Sequence, residues 1–240
     1  MKVLIAAPVG GFKQYSVMDW FNWISTQTQP DCDVCVCVNG KDTSTIAQMF
    51  KDTTINEKPI IVLELPQKEL TTIQNITYSR EMIRRYAVDN NYDYIFFLDT
   101  DTIPAHHYAI KRLMRPRLDC VSGLYFYKNT KQPVIIDKDT HTNIRLDKCS
   151  EAVDKEELIE VWGFGFGCLL LSRKAFEKNA FDYELFGEER TDDFGYCHVL
   201  EQAGIKRWFD PFVICKHLVD PSLKPSSETG TRIPFTIKQV

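Results

Sequence analysis

Asp99 and Asp101 stand one residue apart, directly after the apolar run Tyr94-Ile95-Phe96-Phe97-Leu98. Such a run reads as a buried strand, and two acids at its end need something to receive their charge. In extended geometry residues i and i+2 share a face, so both carboxylates reach one hard divalent cation, which also relieves their repulsion. Asp192-Asp193 form a second acidic pair after Thr191, opening a segment with helical spacing. Carboxylates in a first helical turn are favoured by the helix dipole. His217 follows another apolar stretch, 208–215. Arg80 sits where a charge is not expected. Ile73, Ile76, Ile83 and Ala87 form one stripe at about 100° per residue, and Arg80 falls in its middle. A guanidinium there needs an anionic partner or a route to solvent, and the functional reading sets it beneath a nucleotide.

These residues must be held by an alternation of strands and helices. Residues 2–7 read as a first strand, ended by Pro8-Val9-Gly10-Gly11, and Val17, Trp20, Phe21 and Ile24 carry the spacing of an amphipathic helix. Residues 33–38 and 60–65 read as strands, 69–88 as a long helix, and 94–98 as the strand that delivers Asp99. Strands separated by helices predict a Rossmann-like α/β sheet, largely parallel in this half, with ligands beyond the carboxyl ends of its strands. After residue 105 the rhythm changes. Short strands are expected at 120–126, 134–136, 166–171, 208–209 and 212–215, a helix at 192–203, and a loop or a small excursion over the polar stretch 137–160. Residues 218–240, with Pro221, Pro225 and Pro234, read as a wrapping tail.

The 240 residues carry a net charge of −4, with 26% charged and 44% hydrophobic residues, which excludes a disordered chain and a general coat for nucleic acid. Eight cysteines are too few for a disulfide scaffold, and most lie in apolar runs such as Val34-Cys35-Val36-Cys37-Val38. Cys32 and Cys35 form a CxxC with no second one to complete a zinc site. No stretch of about 18 apolar residues exists, and the N-terminal run reads as a strand rather than a signal peptide. The expectation is a reducing cytoplasm.

Taken in order, the apolar strand with its DxD at 94–101, the run Gly163-Phe164-Gly165-Phe166-Gly167-Cys168-Leu169-Leu170-Leu171-Ser172-Arg173, the helix opening Asp192-Asp193-x-x-Tyr196-Cys197 and the late His217 resemble the GT-A glycosyltransferases, especially small single-domain, family-2-like members. The resemblance covers about residues 2–217. It implies one GT-A domain over 1–217, with a nucleotide-binding half at 1–101 and an acceptor half at 102–217. Two positions depart from the family pattern: Asp192 stands where Glu is usual, and Glu81 follows Arg80 where Asn is usual.

The resemblance further implies a metal-dependent transfer of a sugar from a nucleotide sugar, UDP first, to an acceptor hydroxyl. Asp101 and His217 would hold Mn²⁺ or Mg²⁺, with Asp99 near the ribose or reaching the metal through water. Ala7, Pro8, Asn39, Arg80 and Thr100 would contact the donor. Asp193 would be the general base, with Asp192 capping the helix or binding acceptor hydroxyls. Trp162 and Tyr125 are candidate sugar or acceptor platforms. The basic cluster Lys111, Arg112, Arg115 and Arg117 suits an anionic acceptor: a lipid phosphate, a glycan or a modified nucleic-acid base.

Rival readings remain. Asp99-Thr100-Asp101-Thr102 also spells the DxDxT of haloacid-dehalogenase-type phosphatases, with Asp99 as nucleophile and Asp101 as acid/base. That motif normally follows the first strand, and this one follows several βα units. A nucleotidyltransferase would need a glycine-rich phosphate loop after the first strand, where only Gly10-Gly11 stands, with Lys13 nearby. A non-catalytic nucleotide-sugar-binding module would be expected to lack the metal or base residues, which are present.

Overall fold

The computed structural model describes residues 1–27, 31–40, 43–66, 69–186 and 191–220. β1 (Val3–Gly10) leads through a 3-10 turn into α1 (Val17–Ser25). β2 (Cys32–Asn39), α2 (Ser44–Lys51), the two-residue strands β3 (Thr54–Ile55) and β4 (Lys58–Pro59), and β5 (Ile61–Glu64) follow. α3 (Thr72–Asp89) opens on a capping box in which Thr71 and Gln74 each accept the other's backbone N–H. It leads to β6 (Tyr94–Leu98). The second half comprises β7 (Thr102–Pro104), α4 (Ala109–Met114), β8 (Cys120–Leu124), β9 (Ile135–Asp137), α5 (Leu146–Lys155), β10 (Ile159–Phe164), β11 (Cys168–Ser172), α6 (Arg173–Phe176), α7 (Tyr183–Phe186), α8 (Asp192–Gln202) and β12 (Arg207–His217).

The main sheet runs β5-β2-β1-β6-β11-β8-β12-β10-β9, with β7 pairing β12 beside it. β5, β2, β1 and β6 are parallel, so their carboxyl ends share one edge. β11 is antiparallel to β6 and β8, which makes the sheet mixed, as expected. Strand alternation divides the core. Phe96 joins the cluster under α1, α2 and α4, and Phe97 joins the one under α3, α6 and α8. Helices therefore cover both faces. Among the described residues no helix is long and apolar enough to cross a membrane.

Several boundaries differ from expectation. β1 continues through Pro8 to Gly10, because pairing with β6 ends at Ala6 and the missing Pro8 N–H breaks no bond of that ladder. Of the two expectations for 137–160, the small excursion holds and the loop does not: the stretch contains α5 and the start of β10. α5 buries only Cys149 and Ala152, too thin a stripe to read as a helix. The strands expected at 208–209 and 212–215 are one strand, β12, whose register against β8 shifts between Asp210 and Ile214. Asp210-Pro211 sit in that irregularity, where proline is tolerated. The expected tail beyond residue 220 lies outside the described residues.

The glycine run has a steric cause. A Cβ on Gly165 would fall 1.9 Å from the Tyr125 hydroxyl, and one on Gly167 2.9 Å from Cζ of the same ring. The Gly167 N–H donates to that hydroxyl at 3.0 Å. The run lets Tyr125 lie across it, next to the turn that follows β6.

Candidate active site

Asp99, Thr100 and Asp101 do not continue β6. The Thr102 N–H donates to the Asp99 carbonyl at 2.9 Å, closing a turn, and the Asp99 N–H donates to the Gly167 carbonyl at 3.1 Å. The two carboxylates therefore diverge instead of sharing the face of an extended segment. Thr100 turns inward, 1% exposed, with its hydroxyl 3.4 Å from that of Ser16.

Asp101 is fully buried and crowded with cations. Its Oδ2 lies 2.5 Å from Lys13 Nζ, 2.7 Å from Lys128 Nζ and 3.6 Å from His217 Nε2. Tyr15 donates its hydroxyl to the same oxygen at 3.2 Å. Oδ1 is buried without a hydrogen-bond partner. Burial opposes ionisation of Asp101, yet His217, Lys13 and Lys128 outweigh it and hold the carboxyl well below the usual range. The antiparallel pairing of β7 with β12 sets His217 opposite Thr102, and the Leu218 N–H donates to the Asp101 carbonyl at 2.7 Å. His217 Nδ1 lies 2.8 Å from the Phe126 carbonyl, which can only accept. Nδ1 therefore carries a proton, which leaves Nε2 as the nitrogen that faces Asp101.

Asp99 belongs to a second cluster. Arg80, 3% exposed on α3, places Nη2 3.2 Å from Asp99 Oδ1 and Nη1 3.2 Å from Asp192 Oδ2. The contact with Asp192 lacks hydrogen-bond alignment, and Arg80 Nε has no hydrogen-bond partner. The guanidinium lies over the Phe166 ring at 4.9 Å and the Phe97 ring at 5.6 Å. Arg80 thus joins the turn after β6 to the first residue of α8. Glu81 does other work: it accepts from Arg84, Arg85 and the Phe181 N–H, tying α3 to the segment before α7.

Asp193 is half-buried, and its Oδ1 accepts from the Thr191 hydroxyl and from the Phe194 N–H at 2.8 Å. The local, cap-like bonds expected of Asp192 fall to Asp193, and Asp192 is turned inward to Arg80. Burial pushes the Asp193 carboxyl up against its hydrogen bond from Thr191. Burial also pushes Asp192 up to about 7, with Asp193 and Asp99 adding to the shift against Arg80.

The other expected residues divide. Asn39 ends β2 level with Gly10, and its side-chain N–H₂ donates to Ser79 on α3 at 3.0 Å. Ala7 is buried within β1, and Pro8 follows it inside the strand. Tyr125 is 5% exposed with its ring packed edge-on against His217, so it lines the site from beneath. Trp162 is half-buried and stacks on Phe194, beside Asp193. Arg112 leaves the basic cluster to bind Asp210 at 2.8 Å, and Lys111, Arg115 and Arg117 stay exposed. Lys13 and Lys128 escaped the sequence reading as site residues. Each is remote in sequence from Asp101 and follows a strand in a segment without periodicity.

No family model and no curated protein matches the chain. Solved structures do. A mannosyltransferase from Pyrobaculum calidifontis, PcManGT, solved with GDP-Man and Mn²⁺, aligns over 89% of this chain and 56% of its own at 15% identity and a TM-score of 0.59. S. aureus TarS aligns over 83% of this chain and 33% of its own at 15% identity and TM-score 0.54. A197 from STIV aligns over 92% of this chain and 87% of its own at 16% identity and TM-score 0.54. The fold is one that glycosyltransferases use. The chain spans about half the length of the mannosyltransferase and a third of TarS.

Two predictions arise from the Arg80 cluster. A lysine at position 80 keeps the charge but cannot fork to two carboxylates. Arg80→Lys is expected to lose about 1.5–3 kcal/mol in urea denaturation, the worth of one charge-assisted bond. Undiminished stability would mean that one of the two contacts contributes nothing. Asp192 gives a pH dependence. Its carboxyl titrates at about 7 in the folded protein and near about 3.9 in the unfolded chain. Between these values the native state holds a proton that the unfolded chain has released, so stability falls as pH rises through the window. Asp192→Asn should flatten that slope in a series of melting curves from pH 4 to 8. Parallel curves for both proteins would show Asp192 titrating as an ordinary acid.

Proposed function

We propose that this protein is a glycosyltransferase that moves a sugar from a nucleotide sugar to an acceptor hydroxyl. The observation that carries the reading is the approach of His217 Nε2 to within 3.6 Å of Asp101 Oδ2 at the carboxyl edge of the sheet, in a fold shared with glycosyltransferases. That edge is where open α/β sheets receive ligands. Mn²⁺ or Mg²⁺ fits the two groups: Asp101 has an Oδ1 with no hydrogen-bond partner and an Oδ2 3.6 Å from His217 Nε2, the oxygen that the ion would share with that nitrogen. Among the described residues no three His, Cys, Asp or Glu side chains converge, so further ligands would come from the diphosphate and water. Held there, the cation would neutralise the leaving diphosphate.

The chain's own residues do the rest. Asn39 at the end of β2 and Asp99 after β6 would frame the nucleoside, with UDP the first candidate and GDP the next. Asp193, half-buried beside the Trp162–Phe194 stack, would take the proton of the acceptor hydroxyl. Burial raises its pKa, which makes it a stronger base than an ordinary carboxylate. Arg80 would fix the distance between the donor side, Asp99, and the acceptor side, α8. The phosphatase alternative needs Asp99 free as a nucleophile, and its carboxylate is engaged by Arg80.

The test compares two assays in Mn²⁺. Release of nucleoside diphosphate from UDP- or GDP-sugars is expected, with inertness to p-nitrophenyl phosphate. Phosphatase turnover that disappears in Asp99→Asn would overturn the reading.

A further inference from the structure

Two ammonium groups stand where a divalent cation would meet Asp101. Lys13, from the 3-10 turn after β1, and Lys128, from the segment after β8, both lie within 2.7 Å of Oδ2. Lys128 also donates to the Tyr15 hydroxyl at 3.1 Å, and its side chain is 36% exposed against 20% for Lys13. A divalent ion cannot join the same oxygen while both lysines remain, because three cationic centres would crowd one negative charge in a poorly solvated place. The lysines must move for the ion to enter, and an ammonium leaves a buried carboxylate readily only for another anion. A nucleotide donor brings such an anion.

We propose that Lys13 and Lys128 form a diphosphate clamp that neutralises Asp101 in the free protein and turns to the phosphate oxygens of a bound nucleotide. The inference rests on the nucleotide-sugar reading and adds two residues and an order of events to it. Both stems follow strands whose ends meet at the site, and each ammonium would swing outward by a change of side-chain rotamer. Metal and diphosphate then assist each other. The diphosphate draws the lysines away and uncovers Oδ2, and the cation restores the charge that Asp101 loses. The clamp also lets diphosphate bind with no metal present, through the two ammonium groups alone.

The experiment titrates inorganic pyrophosphate, UDP and GDP calorimetrically in EDTA, and Mn²⁺ alone by electron paramagnetic resonance. Wild type, Lys13→Gln, Lys128→Gln and the charge-preserving Lys13→Arg and Lys128→Arg are compared, each checked for an intact melting transition. Pyrophosphate should bind the wild type in EDTA, and each Gln variant should weaken it about tenfold to a hundredfold. The Arg variants should keep most of the affinity. Mn²⁺ alone should bind the Gln variants more tightly than the wild type, the opposite direction. A residue of merely structural importance would weaken both ligands. The clamp is overturned if pyrophosphate binds all five proteins equally, or if it binds wild type only when Mn²⁺ is added. In that second case nucleotide binding with Mn²⁺ would leave the glycosyltransferase reading standing. Absence of UDP and GDP binding with and without Mn²⁺ would overturn both.

Discussion

Asp193→Asn should lower turnover with a competent donor and acceptor by about 10²–10⁴ while leaving nucleotide binding nearly intact. The substitution keeps the shape and the bond from the Phe194 N–H but removes the proton acceptor. The reasoning is geometric first. Asp192 is engaged with Arg80 inside the protein, so of the pair that opens α8 only Asp193 remains half-exposed. Because burial pushes its carboxyl up, the acid limb of kcat/KM should lie above the ordinary carboxylate range, with activity rising as the proton leaves. Asp192→Asn should change turnover far less. If Asp192→Asn abolishes turnover and Asp193→Asn does not, the roles within the pair are reversed. Full turnover in both would place the base elsewhere.

Asp101→Ala should abolish the Mn²⁺-dependent part of nucleotide stabilisation. At a nucleotide concentration about 100 times its Kd, wild type should gain about 2.7 kcal/mol, or roughly 5–10 °C for a chain of this size. The informative quantity is the difference between the shift with Mn²⁺ and the shift in EDTA. That difference should vanish in the variant, because the remaining ligand, His217, cannot hold the ion alone. A residual shift in EDTA is consistent with Lys13 and Lys128, which the substitution sets free of Asp101. An undiminished Mn²⁺ increment would remove Asp101 from the site.

The parallel half was legible because each of its elements carries its own period. β6 matches the expected 94–98, and α3 begins within three residues of the expected start, at a capping box written in its side chains. Arg80 was legible for the same reason, a charge inside a regular apolar stripe. What escaped depends on contacts between distant segments. An extended DxD puts both carboxylates on one face, but the backbone closes into a turn because Thr102 finds the Asp99 carbonyl and Gly167 takes the Asp99 N–H. The lysines on Asp101 come from positions 13 and 128, and neither segment has a pattern that points to residue 101. The reach of β12 past Asp210-Pro211 depends on Arg112 and on the Phe212 N–H, which both bind the Asp210 carboxylate.

The most direct test is a crystal of the protein soaked with Mn²⁺ and UDP or GDP. The metal should lie between Asp101 and His217 Nε2, with the diphosphate reaching Lys13 and Lys128 and the nucleoside beyond the ends of β1 and β2. A nucleotide bound away from this edge, or a metal held without Asp101 and His217, would contradict the account.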